Sequence, residues 1–361
     1  MKIVIDARFW GTPGGFGRYL QEIITRLGTF DRANQYYIIV RRTAGLPLLD
    51  KNIHYVVANV PWYGWREQIV LPLILWRLKP DLVHFPHFNI PWLFRGRFVV
   101  TIHDLILFRY PSIKTSMLPA WLYRWKYYVY RRLLARAILQ SQSIIAPSQF
   151  TKDDIIAWSH VRADKIHVIP EASSMSVCQS SDQVDRLLYV GNCYPHKNVG
   201  LLLDAFRTLA AGNSKLSLHL VIPDDYFSQQ TMALTSTWPQ DIKQRVVVRH
   251  SISDDQLKQE YQNGSVYIFP SRYEGFGLPG LEAMSCGLPV IATRASCLPE
   301  IYGAAAYYFI DDDAADLLTA ITAVLRSDQL RADLRRLGYA QVQRYSWDQT
   351  TMQTIDLYLK T

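Results

Sequence analysis

Several marks of an exported, membrane-spanning or metal-binding chain are missing here. The 361 residues hold four cysteines, Cys178, Cys193, Cys286 and Cys297, with no C-x-x-C spacing and no histidines at ligand spacing beside them. That pattern points away from a zinc site or a disulfide framework and predicts buried, reduced thiols. Long hydrophobic runs are also absent: the strongest, Ile69 to Trp76, is broken by Pro72 and closed by Arg77. A bilayer-spanning helix needs about 20 apolar residues, so none is expected. The opening MKIVIDARFW runs straight into a strand-like segment without a leader pattern, so the expected compartment is cytoplasmic. Charged residues make up only 19% against 49% apolar. At this length, that composition predicts two domains with sizeable cores.

Charge is unevenly divided. Residues 1–180 carry 23 Lys and Arg against 11 Asp and Glu, net +12, and the remainder 16 against 20, net −4, which sum to the chain's +8. A basic first half can attract an anionic partner: a membrane surface, a nucleic acid or a charged substrate.

Short apolar runs alternate with helical patterns. KIVID, YYIIV, HYVVA, LVHF, FVVTIHD and SIIAPS form one series, with the helical FGRYLQEIITRL after the first. RLLYVG, LSLHLVI, RVVVRH, SVYIFP and LPVIAT form a second, with the helical VGLLLDAFRTLA after its first member. Strands separated by helices favour parallel sheets. The Ser-rich stretch from Pro170 to Asp185 reads as a connection. The expected α/β organisation is therefore a first domain over 1–170, a linker over 171–186 and a second domain over 187–345. A final helix over 346–361 follows, with apolar positions at Met352, Ile355 and Leu359, that either packs across both domains or simply caps one.

The stretch SRYEGFGLPGLEAM, 271–284, sets Glu274 and Glu282 around a glycine-rich turn. Gly275 and Gly277 permit strained backbone and close approach to a ligand, and Pro279 suits the first turn of a helix. Backbone N–H groups at a helix start favour negative charge, so the turn can seat part of a phosphorylated ligand. The Glu282 carboxylate accepts hydrogen bonds only, which suits a vicinal diol such as a ribose. Gly14, Gly15 and Gly17 form a second glycine loop, although position 20 is Leu20 where a dinucleotide fingerprint needs glycine. His103 and Asp104 end a strand, where open α/β sheets place ligands. The DDD run, Asp311 to Asp313, reads as a helix-initiating acidic loop, and Ser253 with Gln256 resembles a capping box.

Together EGFGLPGLEAM, GGFGRYL, TIHDL, APSQFTKDDI, LLYVGNCYPHKNVGLLLDAF and LPEIYGAAAYYFIDD resemble the retaining glycosyltransferases of family 4, the group 1 sugar transferases with an E-x7-E signature. The resemblance implies the GT-B fold: two Rossmann-like domains with parallel sheets, facing a deep interdomain cleft. It implies that Glu274 contacts the transferred sugar, that Glu282 holds the nucleotide ribose, and that Phe276, Gly277 and Leu278 meet the donor through backbone groups. Lys197 is placed on the donor diphosphate, Gly15 against that diphosphate, and His103 on the donor sugar. Many relatives have an arginine where this chain has Asn192, so Arg272 is the motif's nearest compensating cation. Ser251 and Ile252 are the expected base contacts.

The implied reaction is metal-independent transfer of a hexose with retention, giving an alpha linkage, with no cofactor beyond the nucleotide-sugar cosubstrate. GDP-mannose ranks first among donors and UDP-glucose next. A lipid-linked glycan is the favoured acceptor, placing the enzyme at the inner membrane face. The helical stretch Trp121 to Ala137 mixes basic and aromatic residues, yet Arg124 and Lys126 fall almost opposite each other around a helix, so no clean basic face emerges. Two other readings are a non-catalytic nucleotide-sugar or glycan-binding module, favoured by Asn192, and a nucleic-acid binder, suggested by charge alone and lacking any reading motif.

Overall fold

The computed structural model describes residues 1–12, 14–43, 45–48, 50–111, 119–180 and 185–361. The chain divides into two compact units. The first comprises Met1–Arg109, Leu118–Glu171 and Ser346–Thr361, and the second Tyr110–Met117 and Ala172–Tyr345.

The first unit is built on seven parallel strands: β1 (Lys2–Asp6), β2 (Gln35–Val40), β3 (Ile53–Val57), β4 (Leu82–Phe85), β5 (Phe98–Thr101), β6 (Ser143–Ala146) and β7 (Ile166–Val168). Their order is β3-β2-β1-β4-β5-β6-β7. The near-continuous apolar runs follow from helices covering both faces. On one face Val4, Val83, Phe85, Val100 and Ile144 share a core with Leu71 and Leu75 of helix Glu67–Leu78 and with Leu134, Ala137 and Ile138 of helix Ala120–Gln140. On the other lie helices Gly15–Phe30 and Trp347–Lys360, which pack on each other.

Helix Trp347–Lys360 departs from its sequence pattern. Ile355 is buried as expected, but Met352 and Leu359 are exposed, and the buried side carries Thr350, Thr351, Thr354, Leu357 and Tyr358. Thr351 and Thr354 donate their hydroxyls to the carbonyls one turn back, at 2.8 and 2.7 Å, so a polar stripe is satisfied inside the fold. Tyr358 closes the contact through its hydroxyl, 2.6 Å from His84 Nδ1. The edge strand β7 is only three residues long and leaves no readable period in the sequence.

The second unit has six parallel strands: β8 (Arg186–Val190), β9 (Ser217–Val221), β10 (Val246–Arg249), β11 (Val266–Phe269), β12 (Val290–Thr293) and β13 (Ala306–Phe309). Their order is β10-β9-β8-β11-β12-β13. In each sheet the order reverses beside the first strand, between β1 and β4 and between β8 and β11. Open α/β sheets bind ligands at the carboxyl side of such a switch point.

The cysteines require a correction. Cys193 and Cys297 are free and buried, but Cys178 and Cys286 form a disulfide across 108 residues. Cys178 lies on a connecting segment laid along the end of helix Leu278–Ser285. Its N–H donates to the Ser285 carbonyl at 2.9 Å, and Tyr339 donates its hydroxyl to the Cys178 carbonyl at 2.7 Å. Topology makes this pairing, so local spacing could not reveal it. Among the described residues no helix is long and apolar enough to cross a membrane.

Candidate functional site

In the second unit Asn192 and Lys197 follow β8, and Arg272, Glu274, Phe276, Gly277, Leu278 and Glu282 follow β11, the two strands at the switch point, whereas Ser251 and Ile252 follow the edge strand β10. After β8 the chain turns at Asn192, whose backbone carbonyl accepts from Tyr189 Oη at 2.6 Å and whose side-chain Oδ1 accepts from the Tyr194 N–H at 3.3 Å. The short 3-10 turn Pro195–Lys197 then presents Lys197. Its Nζ lies 2.5 Å from Glu274 Oε1, in a pair with both side chains largely buried. The ammonium also lies 5.7 Å from the centre of the Phe269 ring, which favours a cation. Two partners separated by 77 residues are thus brought together by neighbouring strand ends.

The loop 271–277 is fixed from several sides. The Arg272 N–H donates to the His196 carbonyl at 2.8 Å, binding this loop to the lysine turn, and the Glu274 N–H donates to Ser296 Oγ at 3.0 Å. Phe276 is buried edge-on against Tyr345, with ring centres 5.4 Å apart. Gly277 has φ 90° and starts helix Leu278–Ser285, while Leu278 opens that helix. A side chain at Gly277 would be strained by this backbone and would also meet the Tyr302 hydroxyl, which donates to the Gly277 carbonyl. Glu282, one turn into the helix and buried, accepts from Tyr261 Oη at 3.0 Å. Burial, and next the charges of Glu274 and Glu282, hold the Tyr267 phenol well above its ordinary range. Burial, with the Lys197 charge next, pushes His196 down to about 4. This neighbour of the lysine therefore stays neutral at pH 7.

Arg272 is committed elsewhere. It donates through Nε to both oxygens of Asp312, at 2.9 and 3.0 Å, and through Nη1 to the Pro195 carbonyl at 2.9 Å. Asp312 also accepts from Asn198 Nδ2 at 2.9 Å, and the Arg272 hydrogen bond is the main reason its carboxyl is held below its usual range. The acidic run thus divides: Asp313 caps helix Ala314–Arg326, as its position suggested, and Asp312 fixes Arg272. Ser251, exposed and at φ 51°, and Ile252 lie in the turn before helix Asp254–Asn263, whose capping box through Ser253 and Gln256 is formed in full.

In the first unit Gly15 is the first residue of helix Gly15–Phe30, after β1, and His103 follows β5. The His103 ring stands edge-on to Phe16 and Tyr19, with centres 4.9 and 4.8 Å away. Nδ1 lies 2.7 Å from Glu171 Oε1 and Nε2 lies 3.1 Å from the Pro86 carbonyl. Both partners only accept, so they compete for the single N–H of a neutral ring. Asp104 caps the following turn by accepting the Ile106 N–H at 2.9 Å.

Sequence reasoning missed Glu171, Tyr261 and Tyr302. Glu171 is in the Ser-rich stretch read as a connection, Tyr261 has no motif around it, and Tyr302 lies in LPEIYGAAAYYFIDD, where the resemblance assigns it no role.

The glycosyl transferases group 1 model matches residues 177–341, and the glycosyltransferase family 4 model matches residues 13–172. O-antigen chain mannosyltransferase B of Escherichia coli is 27% identical over 309 residues, covering 78% of this chain and 74% of that protein. O-antigen chain mannosyltransferase RfbU of Salmonella typhimurium is 28% identical over 290 residues, covering 80% and 76%. Sucrose-phosphate synthase from Thermosynechococcus elongatus has a similar fold, with TM-score 0.78 at 18% identity, covering 99% of this chain and 98% of that one.

Proposed function

Because this chain belongs to the group 1 glycosyltransferases of family 4, and so is a sugar-transferring enzyme, we propose that it moves a hexose from a nucleotide sugar to a lipid-linked saccharide. The donor ranked first is GDP-mannose, and the mannosyltransferase relatives support the sugar of that donor. The proposed transfer retains the anomeric configuration, forms an alpha linkage and uses no metal.

The observation that carries this reading is the Lys197–Glu274 pair, set at a switch point beside the glycine-led start of the helix that holds Glu282. Lys197 is assigned to the donor diphosphate, where its ammonium meets negative charge that grows as the anomeric C–O bond breaks. That bond's electron pair leaves on the diphosphate. The acceptor hydroxyl forms the new C–O bond on the same face and gives its proton to the departing phosphate oxygen. Glu274 and the backbone of Phe276, Gly277 and Leu278 orient the sugar, and Glu282 receives the ribose hydroxyls. A carboxylate has about four acceptor positions, so the bond from Tyr261 does not exhaust it. Ser251 and Ile252 are assigned to the base, His103 to the sugar and Gly15 to the diphosphate. With Arg272 held by Asp312, Asn192 is assigned to donate a hydrogen bond where an arginine would bring a charge.

The test is nucleotide release from a panel of nucleotide sugars, with and without lipid-linked saccharides. We expect Lys197→Ala to lower kcat by about 10²–10³-fold, the usual effect of removing one transition-state donor, with a smaller change in KM. The engagement of Asn192 in its own turn favours a second reading, a binding module. Tight nucleotide-sugar binding without turnover across acceptors would establish that reading and overturn the first.

A further inference from the structure

The first unit carries an aromatic surface that the transfer site does not use. Helices Glu67–Leu78 and Ala120–Gln140 turn their buried sides to one core on one face of the sheet, so their other sides face outward from the same layer. On the first helix Ile69, Leu73 and Trp76 are exposed, Trp76 at 73%. On the second Trp121, Trp125 and Tyr128 are exposed, at 71%, 60% and 59%. At about 100° per residue each trio falls within about 60° of arc, so each is a stripe. The loop between β4 and β5 is held to both helices. The Trp92 N–H donates to Gln68 Oε1 at 2.6 Å, and the Arg136 guanidinium lies 5.2 Å from the Trp92 ring centre while donating to the Pro91 carbonyl at 3.0 Å.

The exposed charges on these two helices have one sign. Helix Ala120–Gln140 contains no Asp or Glu. The single acid of helix Glu67–Leu78, Glu67, is fully buried and accepts from Arg8 and Asn89. Arg132 lies within the second stripe, its guanidinium 6.0 Å from the Tyr128 ring centre, and Arg124 and Arg131 border it, all three exposed. In the sequence alone this helix has no clean basic face. The folded helix shows an aromatic face bordered by arginines on one side.

We propose that this outer face docks on an anionic bilayer surface, the two aromatic stripes entering the headgroup boundary and the arginines meeting lipid phosphates. Indole and phenol rings suit that boundary because each has an apolar body and a polar edge. Arginine adds electrostatic attraction to anionic lipid. A second copy of the chain fits less well, because a self-complementary contact would oppose like-charged arginine rows.

The test is flotation of the purified full chain with vesicles of phosphatidylcholine alone and of phosphatidylcholine with about one third phosphatidylglycerol. We expect binding to the anionic vesicles, weakened by added salt. Replacing Arg124, Arg131 and Arg132 together by Gln should weaken it on the order of a hundredfold, from the usual contribution per basic residue. The pair Trp121→Ala and Trp125→Ala, and separately Trp76→Ala, should weaken it on the order of tenfold or more, with circular dichroism unchanged. Four outcomes overturn the proposal: no binding, equal binding to both vesicle types, stripe variants that float like the wild type, or self-association that the stripe variants abolish without any flotation. The readout needs neither donor nor acceptor. A chain that floats without transferring sugar sinks the proposed reaction alone, and one that transfers to a soluble acceptor without floating sinks the docking surface alone.

Discussion

At Gly277 the backbone conformation and the neighbours impose the same demand. A Cβ there would come 2.6 Å from the Tyr302 hydroxyl and 2.8 Å from Leu298 Cδ2, on a backbone with φ 90°. Gly277→Ala should therefore cost about 1–3 kcal/mol in stability, the range for a residue held in a disfavoured region. Tyr302 also donates to the Gly277 carbonyl, so moving either partner displaces the loop that carries Glu274 and Phe276. Donor KM should rise more than kcat falls. Thermal denaturation and steady-state kinetics of the variant check this, and a wild-type KM would remove Gly277 from the donor's path. The glycine turn and both glutamates were readable because motif and local chemistry coincide within fourteen residues. Tyr261 and Tyr302 were not. Each reaches its partner across more than twenty residues, through the packing of helices Asp254–Asn263 and Leu298–Tyr302 against helix Leu278–Ser285.

Among whole elements, helix Trp347–Lys360 has a particular dependence on proton concentration. His84, on β4, faces the Tyr358 hydroxyl at 2.6 Å and Thr101 Oγ1 at 2.8 Å. Burial, and next the neighbouring His103, pushes His84 down to about 3. An unfolded histidine takes up its proton near pH 6.5. Between about pH 6.5 and 3 the unfolded chain holds the extra proton, so stability falls as the pH falls through that window, by up to about 1.4 kcal/mol per pH unit for this residue. Urea denaturation from neutral to acid pH should show that slope, and His84→Asn should flatten it. An unchanged profile would mean that His84 titrates alike in both states. Strands were the most legible elements, because a parallel sheet covered on both faces writes itself as uninterrupted Val, Ile and Leu. This helix was legible as a helix and misread as a face: its buried threonines satisfy their hydroxyls on its own carbonyls, which no apolar period records.

For the molecule as a whole, the reduced state expected of the cysteines conflicts with the Cys178–Cys286 bond. Under denaturing, non-reducing conditions a thiol titration should count two reactive groups, Cys193 and Cys297. Finding four would show that the bridge does not form. Where it forms, a link across 108 residues stabilises by restricting the unfolded chain, up to about 4–5 kcal/mol in the loop-entropy account. A reductant or Cys178→Ser should lower the urea midpoint accordingly. Reducing compartments open such bonds, so the same comparison measures what the second unit retains there.

The chain order of the units has one more consequence. Residues Ala172–Tyr345 stand in the sequence between two pieces of the first unit, and the later piece, Ser346–Thr361, supplies the tyrosine that covers His84. A ribosome synthesises that piece after residues 172–345. The half of the protein that begins first is thus completed only after the other half has been made, and a nascent chain halted before Ser346 carries a first sheet with one helical cover still missing.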